Sequence, residues 1–463
     1  MNKDILMQEF SKTDPMEKRI RKILILILSF ALVVRLIGLF ILHNIRNNFA
    51  DTADYINIAN NLAAGRGFMI SLPSSSDAAN KEIQLRKDLH SDFSDKIIGK
   101  DYYYGICKTD TPFAFWDPLW IHIIALFIWL GDKSLYILNI VNIMIAAAAC
   151  ILLYMLGKNL FGEVAGLIAA AIMTVDICFI FYSGVLMSDS LANFLLCLVF
   201  LWSWKIYRFD DRKKYFGLGV VMGLLFLTRA FYLIAIFILL GHIVFQLRGK
   251  YRLKAAFTVL GFLMVCSPWW VRNVRVLGNP VFLPTRGAFN FWSSMASING
   301  IKDHWKLDLR RNPQGAITFI ERRLKYTDAI YINSSVGGGE LERSRELRWR
   351  TINFIKANPH FALSHYFYRL KSFFIVETDL GSRTGRGLMQ MQYLAILIFG
   401  SAGLIIALKK DKSILTFIIY FAAVLFISPL FQTGYRFRMP VIFIFMLGAG
   451  VFIEWIYGKA VKQ

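Results

Sequence analysis

The sequence predicts an all-α polytopic membrane protein with about ten transmembrane helices. Three observations predict it. Apolar runs of span length recur along the chain. Of 463 residues, 56% are hydrophobic and only 18% charged, against about 45–50% and 25% in ordinary soluble domains. Lysine and arginine gather in every second short connection, as they do in cytoplasmic loops. This composition excludes a disordered chain, a collagen-like chain and a disulfide scaffold, and argues against a soluble multidomain enzyme. The formal charge of +22 would suggest nucleic acid in a soluble protein. Here it orients helices, and no nucleic-acid partner is expected.

Taken in order, the first span is Ile23–His43, preceded by Lys18, Arg19, Arg21 and Lys22. It is too long for a signal peptide and lacks a small-residue cleavage site, so it is read as retained, with the N-terminus cytoplasmic. The following spans are Leu135–Met155, Ala165–Tyr182, Leu191–Ile206, Phe216–Leu227, Phe231–Phe245, Ala255–Trp270, Gln390–Leu408, Leu415–Phe431 and Val441–Tyr457. Pro118–Gly131 is apolar but short, and reads as an interfacial helix. With this count, Lys158, Arg208–Lys214, Arg248–Lys254, Lys409–Lys412 and Lys459–Lys462 all fall in the cytoplasm. Both termini are then cytoplasmic. Two large loops are external, 44–117 and about 271–389, dividing the chain into an N-terminal module (1–270), an external region (271–389) and C-terminal helices (390–463). Asn312-Pro313, Gly337–Gly339 and Asn358-Pro359 are loop signals in the second loop. Asn333-Ser334-Ser335 matches a glycosylation sequon, read as accidental. The five cysteines show no metal-ligand spacing, and no structural disulfide is expected.

Charged residues in so apolar a chain need a reason. Asp51 lies just past the first span and Asp54 one turn on, before a helix read as Ile56–Phe68. The pair suits a base with its orienting partner, a cation site, or simply the acidic first turn of a helix. Arg35 lies roughly 18 Å into the first span at 1.5 Å per residue, deep enough to need a counter-ion or a phosphate rather than to snorkel. Asp189 opens the fourth span, where Ser-Asp also suits a helix cap. Arg229 stands in a short external turn where the charge rule expects few cations. Arg272 follows Pro268-Trp269-Trp270, and Arg436 and Arg438 precede the last span. Asp51, Asp54, Asp189, Arg229, Arg272, Arg436 and Arg438 come from different helices yet fall at one membrane face. Arginines bind phosphate, and carboxylates move protons. Such a face beside apolar helices suits a lipid phosphate.

These residues stand in motifs that resemble a known superfamily. Asp51-Thr52-Ala53-Asp54-Tyr55 with Gly65-Arg66-Gly67-Phe68 resembles the first-loop signature of GT-C membrane glycosyltransferases. The closest pattern is the bacterial branch of the dolichyl-phosphate-mannose protein mannosyltransferase superfamily, which includes the aminoarabinose transferases. Trp116-Asp117-Pro118-Leu119, Phe181-Tyr182-Ser183-Gly184, Ser188-Asp189-Ser190-Leu191, Leu227-Thr228-Arg229, Pro268–Asn273 and Arg436–Pro440 follow in the family's order. Two departures stand out: Thr52 replaces a glutamate common among relatives, and Phe115-Trp116-Asp117 replaces a proline-rich approach.

The resemblance implies a GT-C-like fold and transfer of a sugar from a polyprenyl-phosphate donor to a lipid, glycan or protein acceptor. The site would lie on the outer face of a bacterial inner membrane. It implies Asp51 as the catalytic base, with inversion at the anomeric carbon. Asp54, Asp117 and Asp189 are then orienting carboxylates, and Arg35, Arg229, Arg272, Arg436 and Arg438 phosphate ligands. A divalent metal is compatible but fixed by nothing in the spacing. The rival reading is a transporter or flippase. It predicts midplane charges and inverted repeats; only Arg35 is deep, and no repeat is visible.

Overall fold

A computed structural model describes residues 15–41, 50–71, 102–103, 107–108, 110–206, 211–247, 252–295, 339–375, 383–431 and 435–460. The middle of the first loop, the sequon, Asn312-Pro313, and the basic residues Arg208 and Lys250 lie outside the described residues.

The described chain is helical apart from a two-residue antiparallel pairing of Tyr102–Tyr103 (β1) with Cys107–Lys108 (β2). Its helices are α1 (Pro15–Ile41), α2 (Ala50–Ala63), α3 (Pro118–Trp129), α4 (Tyr136–Leu160), α5 (Glu163–Val175), α6 (Ile177–Ser183), α7 (Asp189–Lys205) and α8 (Arg212–Thr228). After a single turn over Ala230–Tyr232 come α9 (Leu233–Gln246), α10 (Leu253–Leu277), α11 (Arg286–Met295), α12 (Glu340–Ala357), α13 (Pro359–Ser372), α14 (Arg383–Lys410), α15 (Leu415–Phe431) and α16 (Met439–Ala460).

Every expected span falls on a helix, but not every one is long. Among the described residues, six helices have the length and apolarity to cross a membrane, and a bent pair makes up to a seventh. The segments expected as spans four, five and six are the 17-residue α7, the 17-residue α8 and the 14-residue α9. At 1.5 Å per residue, 17 residues cover about 25 Å, short of a hydrocarbon core of about 30 Å.

Three local expectations are corrected. The third span is not continuous: α5 and α6 meet at 59°. Asp176 sits at the break, and its carboxylate accepts from the Phe179 N–H at 3.1 Å, so the residue caps a new helix instead of continuing the old one. The seventh span does not stop at Trp270; α10 runs to Leu277 and ends at Gly278, whose φ of +69° suits a helix C-terminus. Pro268 is tolerated inside because the Ser267 hydroxyl donates to the Met264 carbonyl that proline leaves without an N–H. The first-loop helix starts at Ala50, not Ile56, and so takes both Asp51 and Asp54 into its first two turns. Nothing breaks it before Gly65 and Gly67, both at positive φ.

The helices pack through small residues, as expected where lipid and core are equally apolar. Gly403 of α14 and Gly448 of α16 lie backbone to backbone, and a Cβ on either would collide with a carbonyl of the other helix. Gly219 of α8 and Gly261 of α10 make the same kind of crossing. A continuous aromatic and aliphatic core fills the bundle, while α1 leaves Leu26 and Phe40 largely exposed, as a lipid-facing helix would.

Candidate functional site

The ends of α2, α8, α11 and α16 meet at one cavity of about 330 Å³, and the start of α7 is joined to them by hydrogen bonds. Asp51 comes from the first turn of α2. Asp189 begins α7, and Arg229 follows α8. Arg286 begins α11, and Arg436 lies in the turn before α16. These side chains form one hydrogen-bonded network. Arg436 bridges two acids: Nη1 donates to Asp51 Oδ2 at 2.8 Å, and Nε donates to Asp189 at 2.8 and 3.0 Å. Arg229 Nη2 donates to Asp189 Oδ2 at 2.9 Å, and its Nε to Ser188 Oγ at 2.9 Å. Arg286 Nη2 donates to Asp51 Oδ1 at 3.1 Å, with its guanidinium 3.7 Å from the centre of the Trp116 ring.

In the ion pairs among the described residues, three guanidiniums share two carboxylates. Arg229 Nη1 and Arg436 Nη2 make no hydrogen bond among the described residues, and both arginines line the cavity. The site therefore combines fixed carboxylates with spare donors for an anion. Its remaining walls are mainly apolar and include Phe231, Leu233, Leu283, Ile427 and Phe431.

A polar scaffold holds these parts together. Glu340, at the start of α12, accepts from the Ala114 N–H at 3.1 Å and from the Thr285 hydroxyl. The Thr285 N–H in turn donates to the Ala114 carbonyl at 3.1 Å. The loop before α3 is thereby tied to the residue preceding Arg286. Tyr55, one turn from Asp51, is buried edge-on against Trp116 at 5.0 Å. Burial, reinforced by Asp51, raises its hydroxyl far above the ordinary tyrosine range, so it remains protonated.

Asp117 also lines the cavity, with Oδ1 accepting from the Ala230 N–H at 2.9 Å. Burial pushes its carboxyl up to about 7, against the opposing pull of the Ala230 N–H and Arg286. Asp54 is buried one turn beyond Asp51.

The other sequence candidates stand elsewhere. Arg35 is fully buried among backbone acceptors: its guanidinium donates to Met173 and Thr174 at 3.3 and 3.4 Å, at the end of α5, and to Ala31 at 3.2 Å. Arg438 donates to the carbonyls of Ser372, at 2.8 Å, and Ile375, at the end of α13. Arg272 lies inside α10, not after it. It donates to the carbonyls of Phe113 at 2.7 Å and Phe68 at 3.3 Å, and packs 4.8 Å from the Trp269 ring. Each of the three fastens main chain, and none joins the carboxylate network.

Sequence reasoning did not find Arg286 or Tyr55 as cavity residues, nor Trp116 as the ring beneath Arg286. Arg286 left one signal: it is the first residue of a helix, where the macrodipole disfavours a cation. Among the described residues, no group of three or more His, Cys, Asp or Glu side chains is placed to hold a metal. The donor set does not fit a divalent cation, because guanidiniums occupy the oxygens of Asp51 and Asp189 that would ligate it.

Residues 110–271 match the model of a family described as dolichyl-phosphate-mannose-protein mannosyltransferase. No curated protein sequence matches the chain. Among solved structures, it resembles the archaeal oligosaccharyltransferase AglB from Archaeoglobus fulgidus, solved in complex with an inhibitory peptide and a dolichol-phosphate. The TM-score is 0.53 at 13% identity, over 96% of this chain and 51% of that one. The chain thus spans about half the length of AglB, and at this identity the likeness is one of fold. Residues 110–271 are thus similar to the dolichyl-phosphate-mannose-protein mannosyltransferase family, and the helical frame is similar to that of AglB.

Proposed function

We propose that the protein transfers a sugar from a polyprenyl monophosphate to an acceptor hydroxyl, with its site on the external side of a bacterial inner membrane and both termini in the cytoplasm. The observation that carries this reading is the bridge from Asp51 through Arg436 to Asp189 beside a mainly apolar cavity that Asp51 and Arg436 line. It supplies fixed carboxylate, spare cationic donors and room for a lipid in one place. The family match over residues 110–271 supports the same chemistry.

Asp51 acts as the general base. The acceptor oxygen attacks the anomeric carbon as its proton passes to an Asp51 oxygen, and the bond from that carbon to the phosphate oxygen breaks. Attack opposite the leaving group inverts the anomeric configuration. The contacts from Arg286 and Arg436 orient the Asp51 carboxylate without a metal. The electron pair left on polyprenyl phosphate adds a negative charge, which Arg229 and Arg436 are placed to receive. Asp189 holds both arginines in position. The sidedness rests on the charge pattern: Lys158, Lys205, Lys409, Lys410 and Lys459 all lie at the helix ends remote from this network.

The test is turnover by purified protein in lipid, with a panel of polyprenyl-phosphate sugars, comparing wild type with Asp51→Asn. One donor consumed by wild type and spared by a folded Asp51→Asn is the expected result. Undiminished turnover in Asp51→Asn would remove Asp51 as the base. No turnover, with saturable movement of a lipid or solute across the bilayer, would replace the enzyme by a transporter.

A further inference from the structure

Asp117 occupies the N-cap position of α3 and does not cap it. Pro118 follows with no N–H to offer, and no hydrogen bond joins the Asp117 side chain to its own helix. Its Oδ1 reaches across to the Ala230 N–H, at the turn that opens α9. Its other oxygen makes no hydrogen bond to another residue, among the described residues. The side chain is only partly buried and lines the cavity together with Asp51, Arg229, Arg286 and Arg436.

The two carboxylates that line the cavity, Asp51 and Asp117, and Asp189 behind Arg436 therefore differ. Both oxygens of Asp51 and both of Asp189 are held by guanidiniums. Asp117 forms no ion pair among the described residues; one oxygen is held by the Ala230 N–H, and the residue lines the cavity. A carboxyl in so apolar a setting carries a desolvation cost that a ligand hydrogen bond would offset. The ligand group it suits is a hydroxyl. A phosphate would be repelled by the ionised form, whereas a hydroxyl donates to a carboxylate and accepts from a carboxylic acid. With its carboxyl pushed up to about 7 by burial, Asp117 offers both forms near neutrality.

We propose that Asp117 recognises a hydroxyl of the donor sugar and so helps to set which sugar the cavity accepts. The proposal rests on the transferase reading above. It concerns binding of the sugar, whereas that reading concerns its transfer, so the two are tested by different measurements.

The experiment is equilibrium binding to the full chain in lipid nanodiscs. The probes are polyprenyl phosphate without a sugar, a panel of hexosyl and pentosyl polyprenyl phosphates, and deoxy analogues of the best binder. Asp117→Asn keeps an oxygen for the Ala230 N–H and replaces the carboxyl by a neutral amide, so a melting temperature near wild type is expected. Asp117→Ala removes both. The expected result is that Asp117→Asn weakens the best sugar-bearing lipid by about 10- to 100-fold, the worth of a hydrogen bond to a charged group, while sugar-free polyprenyl phosphate binds as before. One deoxy analogue should then bind wild type and variant alike. Equal weakening with and without the sugar would mean a purely structural role and overturn the proposal. Unchanged donor binding with a raised acceptor KM would move the hydroxyl to the acceptor, also overturning it. Failure of wild type to bind any of these lipids would remove the transferase reading as well.

Discussion

Arg436 and Arg438 are two residues apart and end in different chemistry. Arg436 joins two carboxylates at the cavity. Arg438 turns the other way, is almost fully buried, and donates to carbonyls at the end of α13 beside the Tyr393 ring at 4.8 Å. Arg35 repeats the second pattern at the end of α5. The last carbonyls of a helix lack intrahelical partners, and no water reaches them inside a bundle. An arginine placed there fastens a helix end. The same side chain beside acids at a cavity holds an anion site together. The partner decides the role, and position along the chain does not.

The largest effect should come from breaking the bridge. Arg436→Ala leaves Asp51 and Asp189 without their common partner and removes a donor for the leaving phosphate. Donor turnover should fall by about 100- to 1,000-fold, the range for a single preorganised donor. Arg436→Lys should not restore it, because an ammonium lacks the fork that reaches two carboxylates at once. Near-normal turnover in Arg436→Ala would erase the distinction from Arg438.

A smaller loss is expected at Arg286, which donates to Oδ1 of Asp51 at 3.1 Å. Arg286→Ala should lower turnover by about 10- to 100-fold, within the span of orienting and general-base effects. Arg286→Lys should recover part of it, since one contact needs no fork.

Arg35→Met and Arg438→Met should do the reverse. Each leaves buried carbonyls without a donor, at roughly 1–3 kcal/mol per group. Melting temperature should drop by several degrees while turnover per folded molecule stays close to wild type. A folded Arg438→Met without activity would move Arg438 into the site.

These contrasts mark what was legible. Apolar length and alternating loop charge locate the helices because both are local in sequence. The break at Asp176 hides in an apolar average, although Asp176 itself is the cap that causes it. The extension of α10 beyond Pro268 depends on Ser267 answering a carbonyl, a detail no hydropathy window contains. Asp51 and Asp189 stand out because charge is rare in such a chain. The arginines stand out for the same reason, but their roles do not, since a guanidinium donates to carboxylates and to carbonyls alike. Arg286 is masked by a charge-rich loop and becomes visible only through its placement at a helix start.

The smallest effect concerns the carboxylate that no guanidinium pairs. The groups facing Asp117 are Arg286, Arg229 and Arg436 around the cavity, with Asp51 and the protonated Tyr55 beyond. In the folded protein its carboxyl stands at about 7, against about 3.9 in an unfolded chain. Between these values the folded state holds a proton that the unfolded state has released. Its contribution to stability therefore falls as pH rises from about 4 to about 7 and levels off above. Asp117→Asn has no such proton. Its melting temperature in nanodiscs should decline less than that of wild type between about pH 5 and 7.5, by a few degrees at most. Parallel curves would mean that Asp117 stays ionised throughout, in a cavity wet enough to solvate it. Curves whose separation changes between about pH 5 and 7 and is constant above would separate Asp117 from Asp51 and Asp189, whose charge the arginines balance, and leave it as the acid that answers to the occupant of the cavity.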